Sequence, residues 1–521
     1  MAAVLALALV LTPLAAGAPL FDPDEGLHAA IAQEMVRSGD YVTPRFVGEP
    51  FLDKPILFFW AEALSLRLFG MNEAAVRIPP LLFGVLGMFA VALLARELFG
   101  SSTAVVSSIV YGTMLLPLGV SEVAVHDVAV VPFMCGAAWM IVRVSSTKNK
   151  MLGPTLLAGV CLGLSILTKG LVAVVFTGIL AACLGVVRRD SIGRLAGAFT
   201  VATAIAIIIA APWYVAMEGA HPGYLHYYFI ERHLRGYLTA TQRHAGHAWW
   251  YYVPIVLGGT APWTGYLAAA AHTARADAMR RVLWGWFVFG LVFLSLAESK
   301  LVTYVLPLFP ALAIIVADFV ASGRSSRAGF TILVGTTAAL PAIGLVIARV
   351  RLGEMPLFLW LPALAAALLV AAAALTLHGR DTSAVFMRRV VWMSVCALIG
   401  LNTVTPKAAA WMTGRDLARA LNASGALPPH VSIVDERFGS VVFYLAPALR
   451  ARLTATTIRS DQFAEAIQHI RVDPAESLVV VRNDQRDEFA RFFSSAPAPE
   501  AVAGTFTLYR TGDVRAVLQV P

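Results

Sequence analysis

Residues 194–217 read RLAGAFTVATAIAIIIAAPWYVAM, a run in which Arg194 is the only charged side chain. An apolar helix needs about 20 residues to cross the roughly 30 Å hydrocarbon core of a bilayer, so this stretch predicts a membrane-spanning helix. Over the whole 521-residue chain, 58% of the residues are hydrophobic and 14% are charged. Soluble domains have roughly 45–50% and 25%, so the composition excludes a water-soluble protein.

Apolar runs of helical length recur along most of the chain and predict about thirteen membrane-spanning helices. They lie near residues 1–20, 79–98, 102–120, 125–144, 152–168, 170–187, 194–217, 251–272, 282–297, 299–320, 328–349, 357–378 and 386–404. Residues 1–20 also resemble a signal peptide, because AAGAP offers a small-residue cleavage site. No basic residue precedes this run, as it would in a signal peptide. The predicted topology needs an odd number of spans, so we expect the first helix to be retained in the mature protein.

Positive charges between the runs predict the orientation. The basic side of the alternation holds Arg96, the loop from Arg143 to Lys150, Arg188 to Arg194, Arg275 to Arg281, Arg324 with Arg327, and Arg380 to Arg389. Basic loops face the cytoplasm, so residues 21–78, residues 218–250 and the chain after residue 406 are expected outside. The basic residues form no single stripe, so the net charge of +8 does not indicate nucleic-acid binding.

Two domains are expected, a membrane domain over residues 1–406 and an outer soluble α/β domain over residues 407–521. In the second, RDLARALNAS and SDQFAEAIQHI have helical spacing, whereas HVSIVD, SLVVVRN and TFTLYR have the composition of strands. Within the first outer loop, GLHAAIAQEMVRSG and ILFFWAEALSLRLFG predict amphipathic helices in the plane of the membrane interface. These helices could shape an access route for an amphiphilic substrate, or they could only cap the bundle.

An acidic motif, Asp22-Pro23-Asp24-Glu25, follows the first apolar run. Helix capping would account for one or two of its carboxylates. Three acids in four residues, followed in the same loop by Asp53-Lys54-Pro55, instead indicate a converging polar site, because charges close to the apolar core tend to be paired or functional. Other charged residues are expected at outer span ends, where each alone could be a solvated helix end: Glu122, His126, Asp127, Lys169, Glu298 and Lys300.

The second outer loop, HPGYLHYYFIERHLRGYLTATQRHAGHAWWYY, is rich in histidine, arginine and aromatic residues. Its histidines could hold a metal, but no HxxxH pattern with a following acid is present, and interfacial aromatics commonly anchor membrane proteins. We therefore favour recognition of phosphate and sugar by Arg235 and its aromatic neighbours, with no required cofactor and a divalent metal as the alternative.

The stretch FDPDEGLHAAIAQEMVRSGDYVTPRFVGEPFLDKPILFFW resembles the first periplasmic loop of the GT-C glycosyltransferases, the superfamily of lipid A aminoarabinose transferases and protein O-mannosyltransferases. Further similarities follow in order over roughly residues 20 to 310: His126-Asp127, LTKG around Lys169, ERHLRGY, QRHAGHAWWYY and ESKLVTYVLPLFPALA, which contains Tyr304. The resemblance implies a mostly α, polytopic GT-C fold with a C-terminal α/β domain. It also implies a bacterial inner-membrane protein whose active site faces the periplasm.

The resemblance assigns the catalytic carboxylate to Asp24, with Glu25 as its neighbour, and the acid-Lys-Pro motif of the loop to residues 53–55. Close relatives have Glu where this chain has Asp53, which shortens the reach of any metal contact there. The family's loop histidines fall near His233 and His244. The implied partners are a polyprenyl phosphate-linked sugar, a lipid or glycan acceptor such as lipid A, and membrane lipids.

A polyprenyl phosphate sugar has a stable phosphate leaving group, so cations suffice for its departure. Lys54, Arg235 and Lys300 are expected to bind that phosphate through charge-assisted hydrogen bonds. Asp24 would act as general base on the acceptor hydroxyl, and a single direct attack implies inversion at the sugar carbon. A peptide acceptor remains an alternative. A transporter is a second alternative, although transporters tend to have internal repeats, and none is visible here.

Overall fold

A computed structural model describes residues 1–146, 151–239, 246–274, 277–324, 326–337, 339, 383–409, 412–424, 430–434, 439–451, 455–458, 477–491, 493, 495, 497–504 and 506–510. The chain is mostly α-helical, as predicted. Its first half contains α1 (Ala2–Ala16), α2 (Asp24–Ser38), α3 (Leu57–Phe69), α4 (Glu73–Phe99), α5 (Ser101–Thr113), α6 (Leu115–Ser121), α7 (Asp127–Ser146), α8 (Leu152–Lys169), α9 (Val172–Val187) and α10 (Ile192–Ala220).

The second half of the membrane domain continues with shorter elements. A π-helix, His226–Arg235, runs into α11 (Gly236–Leu238), and a 3-10 helix, Val302–Leu308, precedes α15. The remaining helices there are α12 (Tyr252–Gly259), α13 (Thr264–Ala271), α14 (Ala278–Leu296), α15 (Phe309–Ala321) and α16 (Ser383–Ala409).

Within the described residues, seven helices are long and apolar enough to cross a membrane, or eight if one bent pair is a single span. Two shorter apolar helices, α1 and α9, add to these. The chain is thus a multi-pass membrane protein. The predicted span 357–378 and half of 328–349 lie outside the described residues, so the total of about thirteen stays a prediction.

Two predicted spans are broken helices. The run 102–120 divides into α5 and α6, which meet at an angle of 67° where Met114 is extended. The run 251–272 divides into α12 and α13 around Pro262, which lacks the N–H that a continuous helix would need. The two breaks face each other, because the Leu115 N–H donates to the Ala261 carbonyl at 2.8 Å.

The first outer loop packs inward. A short hairpin of β1 (Arg45–Phe46) and β2 (Glu49–Pro50) lies between α2 and α3. Helix α2 is buried along most of its length, against α3 on one side and a C-terminal helix on the other. It is buried because apolar and small side chains occupy most of its faces, and its position in the plane of the membrane interface stays a prediction.

The C-terminal part contains a five-stranded mixed sheet in the order β4-β3-β5-β7-β6. Strand β3 (His430–Val434) pairs in parallel with β4 (Ala455–Ile458) and β5 (Ser477–Arg482), and β7 (Phe506–Arg510) is antiparallel to β5 and to β6 (Ala501–Ala503). The accompanying helices are α17 (Arg415–Ser424), α18 (Gly439–Tyr444), α19 (Pro447–Arg450) and α20 (Arg486–Ala490). Helix α18 packs on α2 and so joins this part to the first outer loop.

Candidate active site

Residues 18–25, here called the acid corner, connect α1 to α2. Arg77 of α4 holds one side of it: its guanidinium donates to Glu25 Oε1 at 2.9 Å, to Glu25 Oε2 at 2.8 Å, and to the carbonyls of Ala18 and Pro19. The Phe21 N–H also donates to Glu25 Oε2, at 2.8 Å. Glu25 and Arg77 are both buried. Glu25 therefore serves the corner as the partner of Arg77, which fits its predicted role as a supporting neighbour.

Replacing Glu25 by Gln is expected to destabilise the folded protein by about 3–5 kcal/mol, because Arg77 would remain as a buried charge without its counter-ion. Thermal unfolding in detergent measures this. Glu49→Gln is the matched control, because Glu49 is an exposed acid in the same outer loop. Equal melting temperatures for the two variants would contradict the structural role of the ion pair.

Asp24 is the exposed acid of the corner and lines a cavity of about 580 Å³. The rest of the lining is mainly apolar and comes from both broken helices, with Leu116 and Gly119 on α6 and Ile255 and Gly259 on α12. Thr303 of the 3-10 helix lies at the same cavity. A single accessible carboxylate thus faces a space that suits an apolar molecule with a polar end.

A group of predicted site residues meets beside this cavity. Lys169, at the end of α8, forms an ion pair with Asp127, at the start of α7. The ammonium of Lys169 lies 4.3 Å from the centroid of the Tyr304 ring, a cation–π contact, and it interacts electrostatically with Asp24. Lys54 interacts electrostatically with both members of the ion pair. We call Lys54 and Lys169 the cation pair.

Asp53 connects the two outer loops next to Lys54. The Tyr227 hydroxyl donates to Asp53 Oδ1 at 2.6 Å, and Arg232 forms an ion pair with Asp53 at 2.9 Å. Burial, with the neighbouring Asp53, raises the pKa of Tyr227 to about 12, so the phenol keeps its proton and remains a donor. The two contacts attach the Lys54 segment to the π-helix.

Arg235 lies apart from the cation pair in its interactions. Its side chain is 61% exposed and forms an ion pair with Glu231 at 2.7 Å, one helical turn away. The structure therefore places Lys54 near Lys169, whereas it places Arg235 at the protein surface. Lys300 is buried and donates to the carbonyl of His247 at 3.3 Å.

Of the predicted site histidines, His126 and His233 lie within the described residues. His126 is buried, and its ring packs 4.6 Å from that of His28 and 4.7 Å from that of Phe59. His233 Nδ1 is 2.7 Å from the Tyr228 carbonyl, and burial lowers the pKa of His233, so its ring is neutral at pH 7. His244 lies outside the described residues. Within the described part of the chain, no group of three or more His, Cys, Asp or Glu side chains is placed to hold a metal ion.

Glu62 on α3 is a site neighbour that the sequence analysis missed. It is fully buried, and among the described residues neither carboxyl oxygen has a hydrogen-bond partner. Burial, and then the nearby Glu25, raise the pKa of Glu62 well above its ordinary value of 4.5. No motif pointed to it, because an acid within ILFFWAEALSLRLFG reads as the polar face of an amphipathic helix.

Glu62→Gln is expected to raise thermal stability at pH 7–8 and to flatten its pH dependence. In the wild type, the unfolded carboxyl ionises near 4.5 while the native one stays protonated, so stability falls as pH rises above that value, until the native group also ionises. Glutamine keeps the shape and cannot ionise. Melting curves between pH 5 and 8 measure the difference, and a wild type and a variant with parallel profiles would refute the assignment of a neutral Glu62.

Residues 53–215 match the family model described as dolichyl-phosphate-mannose-protein mannosyltransferase. The undecaprenyl phosphate-alpha-4-amino-4-deoxy-L-arabinose arabinosyl transferase of Edwardsiella ictaluri is 33% identical over 356 residues, which cover 66% of this chain and 64% of that protein. The Aeromonas hydrophila protein of the same name is 31% identical over 57% of this chain and 56% of its own length. Each match thus spans less than two thirds of the relative.

Among solved structures, ArnT from Cupriavidus metallidurans bound to undecaprenyl phosphate superposes with a TM-score of 0.75. The alignment covers 98% of this chain and 97% of that one at 22% identity. The fold thus defines a multi-pass membrane protein of the GT-C type, as predicted. The chain is thus similar to a protein mannosyltransferase family over residues 53–215, and to the Edwardsiella ictaluri aminoarabinose transferase over 66% of its own length.

Proposed function

We propose that this protein is an inverting glycosyltransferase that moves a sugar from a polyprenyl phosphate carrier to a lipid A or other glycan acceptor. The observation that carries the proposal is the position of Asp24, exposed at an apolar cavity and close to a cation pair. A lipid phosphate sugar presents the same sequence of groups: an apolar chain, an anion and a sugar carbon.

In the proposed mechanism, Lys54 and Lys169 hold the phosphate that leaves. Negative charge grows on the phosphate oxygens as the sugar–oxygen bond breaks, and charge-assisted hydrogen bonds strengthen with it. Asp24 accepts the proton of the acceptor hydroxyl as that oxygen attacks the opposite face of the sugar carbon. One attack without a covalent intermediate inverts the configuration of that carbon.

The proposed sugar is 4-amino-4-deoxy-L-arabinose on undecaprenyl phosphate. The support is the name carried by the relatives that are 31–33% identical. A peptide acceptor is the second candidate, and the match of residues 53–215 to a protein mannosyltransferase family favours it. The active site is proposed to face the periplasm of a bacterial inner membrane.

Reporter fusions test this orientation. Fusions after Lys150, Arg189 and Arg324 are expected to report the cytoplasm, and fusions after Gly236 and Arg415 the outside, because the basic loops alternate. Alkaline phosphatase and green fluorescent protein serve as the opposite reporters. A cytoplasmic signal after Gly236 would place the π-helix and the cation pair on the wrong face and refute the proposed orientation.

Transfer by the purified protein in liposomes tests the activity. Undecaprenyl phosphate aminoarabinose with lipid A, and dolichyl phosphate mannose with a serine-rich peptide, are supplied in separate reactions, and products are identified by mass spectrometry. Aminoarabinose on lipid A supports the proposal, whereas glycosylated peptide supports the second candidate. Movement of the donor across the bilayer without any product would indicate a transporter.

A further inference from the structure

The acid corner is also held from the C-terminal part of the chain. The Ser440 N–H, in α18, donates to Asp22 Oδ1 at 3.0 Å, and the Ser440 hydroxyl donates to Asp22 Oδ2. The Asp22 N–H in turn donates to the Met412 carbonyl at 2.7 Å. Asp22 and Ser440 are both buried. The carboxylate of Asp22 is therefore part of a contact between distant segments, two residues before Asp24.

Tyr444, at the other end of α18, holds the same corner. Its hydroxyl accepts a hydrogen bond from the Leu20 N–H at 2.9 Å and donates to Glu73 at 3.0 Å. Helix α18 thus binds the corner at Leu20 and at Asp22, whereas Arg77 binds it at Ala18, Pro19 and Glu25. The backbone that precedes Asp24 is fixed from two sides.

Two glycines allow α18 to come this close. A Cβ atom on Gly439 would collide with the backbone of Gly26 and Leu27, and one on Gly26 would collide with Asp22 and the backbone of Ser440. The helices therefore meet backbone to backbone at the first turn of α2. A contact of this kind leaves little room for the corner to shift.

We propose that Ser440 is a positioning residue for Asp24, acting through the carboxylate of Asp22. The inference rests on the proposed function only in taking Asp24 as the base. Helix α18 sets where the first turn of α2 lies, and so sets the distance from the Asp24 carboxylate to the acceptor hydroxyl. Misplacement of a catalytic group by about 1 Å can lower a rate about 100-fold. The contact of Ser440 with Asp22, here called the clamp, can therefore affect the rate without touching the substrate.

Two variants loosen the clamp, and a third is the control. Ser440→Ala removes the hydroxyl that donates to Asp22, and Tyr444→Phe removes only the hydroxyl that binds Leu20 and Glu73. Gln33→Leu removes a hydrogen bond across the same helix pair, from Gln33 to the Phe443 carbonyl at 3.2 Å, far from the acid corner. Ser440→Ala and Tyr444→Phe each lose a polar contact between the C-terminal part and the acid corner, whereas Gln33→Leu loses one between the C-terminal part and α2.

The expected result is a fall in kcat of about 10- to 100-fold for Ser440→Ala, with a smaller fall for Tyr444→Phe and unchanged KM for the donor in both. Gln33→Leu is expected to lose comparable thermal stability and to keep its kcat. Unchanged kcat in Ser440→Ala, or an equal loss in Gln33→Leu, would overturn the proposal by making the contact merely structural. If Ser440→Ala does not fold, the same comparison is made between Tyr444→Phe and Gln33→Leu. A lower kcat in Tyr444→Phe alone supports the proposal, and equal kcat values in the two variants overturn it.

Hydrogen exchange separates this inference from the proposed function. Amide exchange in peptides covering residues 18–27 is expected to be faster in Ser440→Ala than in Gln33→Leu, because the Asp22 carboxylate loses its hydroxyl donor and the corner then opens more often. This measurement needs no substrate. Absent transfer by the wild type would refute the proposed function, while equal exchange in the two variants would refute the clamp.

Discussion

Replacing Asp24 by Asn is expected to leave a folded protein whose transfer rate at saturating donor falls about 10²- to 10⁴-fold, the usual cost of losing a general base. Asn keeps the shape of the side chain and caps a helix about as well as Asp does, so a capping role alone predicts no such loss. Asp24 is also exposed at the cavity, and its electrostatic neighbour Lys169 keeps the ion pair with Asp127 after the substitution. Initial rates and melting temperatures are measured together.

Asp22→Asn and Glu25→Gln provide the comparison for this prediction. Asp22 is bound by Ser440 and Glu25 by Arg77, so both acids already have partners that Asp24 lacks among the contacts described above. Asp22→Asn is expected to slow transfer less than Asp24→Asn does. If Asp24→Asn retains near wild-type rate, or if Asp22→Asn is the slower variant, the base has been misassigned.

Lys54→Ala is expected to weaken use of the donor by roughly 2–5 kcal/mol, the range for losing one partner of a desolvated charge pair. Lys54 is the more informative member of the cation pair, because removing Lys169 would also strand its partner Asp127. Titration of the donor against the reconstituted protein gives the apparent affinity and the turnover together.

Arg235→Ala is the control for this titration. The exposed ion pair of Arg235 with Glu231 is expected to contribute about 0–1 kcal/mol to protein stability. Because Arg235 lies apart from the cation pair in its interactions, its removal should barely change donor use. Equal weakening in the two variants would return Arg235 to the phosphate site, as the sequence analysis predicted. Normal affinity and turnover in Lys54→Ala would remove Lys54 from it.

The sequence alone predicted that Asp127 and Lys169 lie at span ends on the same face, but it did not predict that they form an ion pair. Consecutive membrane spans alternate in direction, so the start of α7 and the end of α8 must lie on one face, and charges there tend to pair. The same argument could not predict the role of Arg77, because Arg77 precedes an apolar run and resembles an ordinary charged span end. Its bond to Glu25 depends on how α4 packs against α2, and hydropathy carries no such information.

The broken helices show a second limit. Residues 102–120 and 251–272 are apolar throughout, so a hydropathy window treats each as one span. The breaks at Met114 and near Pro262 bring the Leu115 N–H to the Ala261 carbonyl, a pairing between two distant segments. Prolines in both runs were the local signal, Pro117 in the first and Pro262 in the second, and a proline alone does not distinguish a kink from a complete break.

The bond between Asp22 and Ser440 joins residues 418 positions apart. During synthesis, the acid corner emerges from the ribosome early. The helices that lie between the corner and α18 in the sequence also emerge before α18 is made. The corner can then take its final form only after α18 has been made and has docked on it. A chain truncated before Gly439 would have Asp24 but lack the helix that supports the acid corner, so we expect the Asp24 carboxylate to become ordered only once translation is almost complete.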